Sequence, residues 1–438
     1  MSEYAQDSIA AIATAPGAAS VGIIRISGPA ARSIQPDLLG TQLKPQEFRY
    51  LAVRDERGEA LDHAVALYFA APRSLTGEDV LEIQGHGGPV VLQLILRRVL
   101  SLGVRPARAG EFTERAFLNH KLDLAQAEAV ADLISAGTEN AARAASRSLS
   151  GAFSLRVQEV LEALTRLRVF VESAIDFPTE EIDFLAESDI GAQLEELRGQ
   201  LEGLLRCASQ GVVLRDGLTL AIVGAPNAGK SSLLNALTEK ERAIVTDIPG
   251  TTRDVLTETV SLDGIPLHLV DTAGLRDSDD RVEQEGIRRA KQALGEADHV
   301  LLMIDLSSDA PPPSLPAEAP AHTLIYNKVD VAPAPADAAG LVVSARTGEG
   351  IDTLKAHLKS LAGAAPGSEG QYTARTRHVD ALHNVQAHLA QAAAQADHGA
   401  ELLAEELRLA QNALASITGE FVSNDLLGEI FSSFCIGK

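Results

Sequence analysis

The sequence predicts an α/β plus α protein in three parts: a small N-terminal α/β domain, a discontinuous helical domain, and a doubly wound α/β domain inserted into the helical one. Three observations carry this. Two Ala- and Leu-rich helical blocks of the same texture flank the middle of the chain. The middle alternates apolar strands with helices, and it opens on a strand, a Gly-rich loop and a helix, as doubly wound sheets do. The first third reads as short strands followed by one buried helix. The boundaries are 1–119, 120–215, 216–363 and 364–438. A length of 438 residues suits about three domains, and insertions succeed where chain ends lie close together on a domain surface.

In the first part, Val21–Ile26, Leu61–Phe69 and Val80–Gln84 are strands, the last followed by a Gly-rich turn, G-H-G-G-P. His86 in that turn reads as a loop residue. Val90–Leu100 has the periodicity of a buried helix closed by Gly103. Arg25 and Glu82 stand inside strands and project to the face opposite their apolar neighbours. From Lys121 the texture becomes helical. Leu122–Ala136 and Glu139–Ala174 are interrupted near Gly137 and Gly151 and ended by Phe177-Pro178. A further helix is N-capped by Ser188 and runs to Gln210, before Gly211. Its Ile190, Leu194, Leu197, Leu201 and Leu204 form a packing seam. The same rhythm returns at Leu403, Leu407, Ala410, Leu414 and Ile417.

In the inserted part the strands are Leu218–Val223, Val255–Leu262, Ile265–Val270, Val300–Leu306, Thr323–Tyr326 and Leu341–Ser344. Asp263-Gly264 is a hairpin turn. Helices are expected around Gly286–Gly295 and from Ile351, and the Pro/Ala-rich segment 310–321 reads as a surface loop.

Composition narrows the function classes. Aromatic residues are 4% of the chain and tryptophan is absent, which favours helices packed through small side chains over an aromatic-rich sandwich. A formal net charge of −22 means that any nucleic-acid partner needs a local basic patch. Arg97, Arg98, Arg105, Arg108 and Arg115 are the candidate cluster. Cys207 and Cys435 are the two cysteines, too few for a disulfide framework or a zinc site, and a reducing cytoplasm is expected. No signal-like N-terminus and no 18-residue uncharged apolar span is present, so no membrane is expected.

The chemistry concentrates in the insertion. Gly224 to Ser231 reads G-A-P-N-A-G-K-S, the phosphate loop in its strand–loop–helix context. Backbone N–H groups across Asn227, Ala228, Gly229, Lys230, Ser231 and Ser232 face phosphate oxygens, because glycine lets the chain wrap closely. Lys230 reaches the β/γ-phosphates and the Ser231 hydroxyl ligates Mg²⁺. T-D-I-P-G-T-T-R-D places Thr246, Asp247, Ile248, Pro249, Gly250, Thr251 and Thr252 where switch I belongs, with Thr252 the second protein ligand of Mg²⁺. D-T-A-G comprises Asp271, Thr272, Ala273 and Gly274; Asp271 holds Mg²⁺ through water and the Gly274 N–H senses the γ-phosphate. N-K-V-D supplies Asn327, Lys328 and Asp330. The Asp330 carboxylate accepts from guanine N1–H and the 2-amino group; adenine offers neither donor, so the site selects GTP. S-A-R, Ser344, Ala345 and Arg346, supports the base from behind. Five motifs in this order indicate a GTP-binding domain. Leu275 follows D-T-A-G, where Ras-type proteins carry a water-orienting glutamine, so the catalytic group must come from elsewhere. Arg276, Asp277, Arg281, Glu283 and Glu285 are the nearby charged candidates.

These segments, with L-E-I-Q-G-H-G-G-P, G-E-F-T-E-R-A-F-L-N-H-K-L-D-L-A-Q-A-E-A and the terminal F-C-I-G-K, resemble the tRNA modification GTPase family MnmE, also called TrmE, over essentially the whole chain. The resemblance implies a K⁺-stimulated GTP hydrolase that acts with the flavoprotein MnmG, in a heterotetramer, to add an aminomethyl or carboxymethylaminomethyl group to carbon 5 of the wobble uridine of certain tRNAs. It implies a tetrahydrofolate derivative (5-formyl- or methylene-tetrahydrofolate) in the N-terminal domain, at Arg25, Glu82, Lys121 and Lys438. FAD is expected only in the partner, tRNA contact is shared with it, and homodimerisation runs through the N-terminal domains. Asn227, with the carbonyls of Thr246 and Ile248 and with Thr251, matches a K⁺ site, and Glu283 matches a glutamate acting through water on the nucleophile. Cys435 reads as a buried inert thiol, the alternative being a covalent role in the modification. The rival function is a GTP-dependent RNA or ribosome assembly factor without one-carbon chemistry.

Overall fold

The computed structural model describes residues 7–176, 190–238, 257–271, 294–295, 297–308, 315–316, 319–362, 372–395, 399–420 and 423–437. The chain forms two compact units, Met1–Ala131 with Ala415–Lys438, and Asp132–Leu414.

In the first unit the order is β1 (Ile9–Ile12), β2 (Ala19–Ser27), α1 (Ala30–Ser33), α2 (Gln35–Leu39), β3 (Glu47–Arg54), β4 (Ala60–Phe69), β5 (Val80–Gly87), α3 (Pro89–Ser101), β6 (Arg105–Pro106), α4 (Glu111–Leu118) and the start of α5 (Leu124–Ser135). The strands form one sheet in the order β3-β4-β5-β2-β1-β6. Ladders are antiparallel except between β1 and β6. Ile24, Ile26, Ala64, Ala66, Leu81 and Ile83 alternate onto one face and bury against Leu92, Ile95 and Val99 of α3. The other face carries Arg25 directly opposite Glu82 in the β2–β5 register.

β5 continues through Gly85, His86 and Gly87, which the sequence reading assigned to a turn. The glycine serves close strand approach: a β-carbon on Gly87 would lie 2.6 Å from the Ala19 carbonyl oxygen. His86 is therefore a strand residue, its Nδ1 2.7 Å from Asp62 Oδ1.

The second unit contains α6 (Glu139–Leu149), α7 (Ala152–Asp176), α8 (Ile190–Asp216), β7 (Leu218–Gly224), α9 (Lys230–Thr238), β8 (Thr257–Leu262), β9 (Ile265–Asp271), β10 (His299–Asp305), β11 (His322–Asn327), β12 (Leu341–Val343), α10 (Ile351–Leu361), α11 (Thr376–Gln395) and most of α12 (Ala400–Thr418). A last helix, α13 (Asn424–Ser432), belongs to the first unit. The seam residues Ile190, Leu194, Leu197, Leu201 and Leu204 are all buried, as their spacing predicts.

α8 does not stop before Gly211. It runs to Asp216 and ends at Gly217, whose φ of +73° is the left-handed stop. Gly211 has another purpose: its β-carbon would lie 2.7 Å from the Tyr372 carbonyl oxygen, so it admits the incoming backbone of residues 372–374.

The sheet of this unit has the order β12-β11-β10-β7-β9-β8, parallel except for the β8–β9 hairpin. Both faces are covered, which is why its strands read as continuous apolar runs. Leu220, Ile222, Leu267 and Leu301 pack with Leu354 and Leu358 of α10 on one side. Ala221, Val223, Val300 and Leu302 pack with Leu294 and Ala297 on the other. The loops that follow β7, β10 and β11 emerge at the carboxyl edge, where doubly wound sheets bind ligands.

Candidate functional site

The phosphate loop leaves β7 at Gly224. Asn227 is exposed at φ +65°, a left-handed conformation that asparagine tolerates, and Gly229 follows at φ +95°. A side chain at 229 would run into the Asn327 amide. α9 starts at Lys230, and Ser231 and Ser232 lie exposed in its first turn. Here the unpaired N–H groups and the positive end of the helix dipole favour an anion. The Lys230 ammonium donates to the carbonyls of Gly224 (3.0 Å) and Ala225 (3.2 Å), folded over the loop it would leave to meet phosphate.

Asn327 ties this loop to the other side of the site. It is buried, donates from Nδ2 to the Ala228 carbonyl (2.7 Å) and accepts at Oδ1 from the Ala345 amide (3.0 Å). One amide side chain thus fixes the spacing between the phosphate loop and the S-A-R turn. Three residues on, Asp330 accepts from the Ser344 hydroxyl at Oδ1 (2.6 Å) and from Arg346 at Oδ2 (2.6 Å). These partners, the Ser344 hydroxyl first, hold its carboxyl below the ordinary range and keep it ionised. A fixed carboxylate at this position can receive the two donors of a guanine edge. Lys328 lies at φ +71° with its ammonium 2.6 Å from Asp305 Oδ2. Asp305 was not singled out from sequence, although an aspartate closing an apolar parallel strand was a signal for it.

Asp271 closes β9, but its side chain lies outside the described residues. So do Thr246, Asp247, Ile248, Pro249, Gly250, Thr251, Thr252, Thr272, Ala273, Gly274, Leu275 and Glu283, and Lys438 in the tail.

In the first unit, Arg25, Glu82 and Lys121 converge on a cavity of about 390 Å³ lined also by Phe69, Arg73, Ser74, Leu75 and Val80. The Arg25–Glu82 ion pair is 2.8 Å. Arg25 also donates to the Gly437 carbonyl (3.2 Å), bringing the C-terminal tail to the cavity's edge, and its guanidinium lies 5.7 Å from the Phe112 ring centroid. Lys121 donates to the Pro72 carbonyl (3.1 Å). Arg73 and Leu75 were not anticipated, because an irregular loop has no periodicity to mark them.

That loop is held from beneath. Arg115, 1% exposed, donates to both Glu78 oxygens (3.1 Å each) and to Asp7 (2.6 Å). Ser27 and Thr76 share a 2.6 Å hydrogen bond. Three of the five arginines read as a basic patch are paired to carboxylates within the fold. Arg105 pairs with Asp7 and Glu111, Arg108 with Glu111 and Glu114, and Arg115 with Asp7, Glu78 and Glu111. Burial alone would raise the Glu111 carboxyl; Arg105 overrides it and takes it down to about 2. Cys435, expected to be buried, is exposed, because Phe431 and Phe434 fill the core position beside it. No group of three or more metal-ligating side chains occurs among the described residues, and among them no helix is long and apolar enough to cross a membrane.

A doubly wound sheet with a phosphate loop after its first strand and a fixed carboxylate for a guanine edge defines a P-loop GTP-binding protein. The model of the MnmE helical domain matches residues 124–435, and that of the N-terminus of the GTP-binding protein TrmE matches residues 8–121. The chain belongs to the MnmE/TrmE family of tRNA-modification GTPases. Among solved structures it is similar to Era of Aquifex aeolicus bound to GDP.AlF4⁻ (25% identity, TM-score 0.27, 39% of this chain and 66% of that one). It is also similar to the G domain of the T. maritima FeoB iron transporter (26%, TM-score 0.25, 33% and 98%) and to the FeoB G domain of Methanococcus jannaschii (20%, TM-score 0.24, 33% and 98%). The chain thus spans just under two thirds of the Era chain.

Proposed function

We propose that this protein hydrolyses GTP with K⁺ and Mg²⁺ and, as a homodimer with the flavoprotein MnmG, adds a (carboxymethyl)aminomethyl group to C5 of the tRNA wobble uridine. The functional parts are 1–119 for folate binding and dimerisation, 120–215 with 364–438 as the helical domain, and 216–363 as the G domain. The cytoplasm is the expected compartment. The observation that carries the reading is that one chain holds a phosphate loop tied by Asn327 to an oriented Asp330 carboxylate and, in its other unit, a cavity lined by Arg25, Glu82 and Lys121.

On GTP, Lys230 exchanges its loop carbonyls for the β/γ-phosphates, and Asn327 keeps loop and base turn at fixed spacing. Ser231 and Thr252 are the residues that would hold Mg²⁺, and Asn227 with Thr246, Ile248 and Thr251 those that would hold K⁺, which when bound would supply positive charge beside the phosphates as an arginine finger does elsewhere. Glu283 orients the attacking water through a second water, the role that Leu275 lacks the chemistry to fill. In the cavity, Glu82 suits the pterin amino edge of a reduced folate, Arg25 is paired to it at that same end, and Lys121 suits a carboxylate; Lys438, the fourth expected contact, lies outside the described residues. When bound, the folate supplies the one-carbon unit.

A GTP-dependent RNA assembly factor has no use for such a cavity. Titration calorimetry with 5-formyltetrahydrofolate decides between the two. Saturable binding that weakens roughly 10-fold or more in Arg25→Ala, the loss expected for a charge-assisted contact, supports modification. No binding to the wild type removes the folate chemistry from this reading.

A further inference from the structure

The β8–β9 hairpin is the one element that joins the two nucleotide-sensing segments. In sequence, β8 begins just after G-T-T-R-D and β9 ends on the first residue of D-T-A-G. The hairpin is a paired ladder from Thr257–Val270 to Leu262–Ile265, about 20 Å long. Asp263 and Gly264, at φ +49° and +88°, form the tight turn that matches strand twist.

Its tip is held by the helical part of the same unit. The Thr138 hydroxyl donates to the Gly264 carbonyl (2.8 Å) while accepting from the Ala141 amide (3.1 Å), so the group that caps α6 also grips the turn. Asn140 donates to the Asp263 carbonyl (3.2 Å). A β-carbon at 264 would fall on the Asn140 side-chain amide, and the φ of +88° itself favours glycine at this seat. Lys359 of α10 pairs with the Asp263 carboxylate.

The hairpin's flank is held as well. His268 Nε2 meets the Asp216 carbonyl oxygen at 3.0 Å, which makes Nε2 the protonated nitrogen and leaves Nδ1 to accept from Thr259 (3.1 Å). Gly217 packs so closely under β9 that a β-carbon would lie 2.5 Å from the Pro266 carbonyl oxygen. Beside this, the buried Asp132 Oδ1 accepts from Arg215, at the chain's entry to the sheet, and from Arg375, at its exit, both at 2.8 Å.

We propose that Thr138 and Asn140 are the contact through which the nucleotide state of the G part is coupled to the helical part, with the hairpin as a stiff lever. The inference rests on the GTP-binding reading. A paired hairpin transmits displacement because slipping its register would break every rung, and a tip gripped by the cap of α6 cannot shift without loosening the first turn of that helix. By linkage, a grip that responds to the γ-phosphate biases the choice between GTP and GDP and leaves the contacts to GDP itself in place.

Hydrogen exchange on the full-length protein tests this at the Ala141 and Ala142 amides, the first turn of α6, in GDP and in a non-hydrolysable GTP analogue. We expect their exchange to differ between the two states by roughly fivefold or more. A Thr138→Val/Asn140→Ala variant should lose that difference while binding GDP within about twofold of wild type, since the phosphate and base contacts are untouched. Thr138→Ser, which keeps the hydroxyl, should retain it. Equal exchange in both states of the wild type, or a difference that survives in the double variant, overturns the proposal. So does loss of GDP binding from that variant, because the clasp would then support the fold of the nucleotide site. Wild-type protein that binds neither nucleotide sinks the GTP-binding reading itself, and the coupling with it.

Discussion

Asp330 is small in area and large in consequence. Its oxygens are oriented by Ser344 and Arg346, so the carboxylate is placed before a base arrives. Replacing it with asparagine exchanges an acceptor pair for one acceptor and one donor. The donor opposes guanine and complements the carbonyl that xanthine carries at the same place. GTP affinity should fall roughly 10- to 100-fold in Asp330→Asn and xanthosine triphosphate should bind better than GTP, as read by competition against a fluorescent GDP. Because the wild-type carboxyl titrates below its ordinary value, GTP preference should persist as pH falls from 7 to about 5, still above that value. Unchanged GTP affinity in the variant would remove Asp330 from base reading. Asn227 raises a second question at this scale. If its side chain helps to hold K⁺, hydrolysis should be faster in KCl than in equimolar NaCl, and Asn227→Ala should erase the difference. Na⁺ is too small for the same cage, so equal wild-type rates in both salts would refute the ion's role.

Elements show how one residue type can carry opposite meanings. α8 contains Gly199, with nothing within 4 Å of an added β-carbon, and Gly211, against the Tyr372 carbonyl. Alanine is the better helix former by about 1 kcal/mol, so Gly199→Ala should stabilise the protein by about 0.5–1 kcal/mol. At Gly211 the same propensity gain meets an overlap with backbone that cannot rotate away, and overpacking of this kind costs about 1–3 kcal/mol. Gly211→Ala should therefore destabilise. Denaturant melts of the two variants read opposite signs, and a stabilising Gly211→Ala would show that the 372–374 segment yields. From sequence alone Gly211 looked like a helix stop and Gly85–Gly87 like a turn. Both are sites of close approach, and nothing local distinguishes a glycine that ends an element from one that admits a neighbour.

At the scale of the whole molecule, a net charge of −22 sets the terms for any tRNA encounter. Arg105, Arg108 and Arg115 are paired to carboxylates within the first unit, so they offer little to a phosphate backbone. This fits a division of labour in which the partner supplies much of the RNA contact. On the proposed function, the coupling between hydrolysis and modification would be a property of the assembly. A Glu283→Ala protein should bind GTP normally and hydrolyse it at least ~100-fold more slowly, the usual scale for a lost general base. With MnmG and tRNA it should lose modification in proportion. Full modification without hydrolysis would show that the two activities run independently.

The sequence by itself determined which segments carry the nucleotide-binding motifs and where the turns that present them fall. Phosphate loops, guanine-reading carboxylates and hairpin turns are local: a few residues at fixed spacing meet a ligand or close a turn, so G-A-P-N-A-G-K-S, N-K-V-D and Asp263-Gly264 are legible without a fold. The same holds for the helical seam of α8, where period alone selects the buried face. Arg25 and Glu82 were legible as polar residues on strands, but only antiparallel register made them a pair. Tertiary structure alone decided that Asn327 bridges the phosphate loop and the S-A-R turn, that Arg115 is buried among Asp7, Glu78 and Glu111, and that Thr138 and Asn140 grip the Asp263–Gly264 turn. Asn327 and Ala228 lie 99 residues apart, Arg115 and Asp7 108, and Thr138 and Gly264 126. No spacing along the chain encodes such contacts; they exist only once the elements have packed.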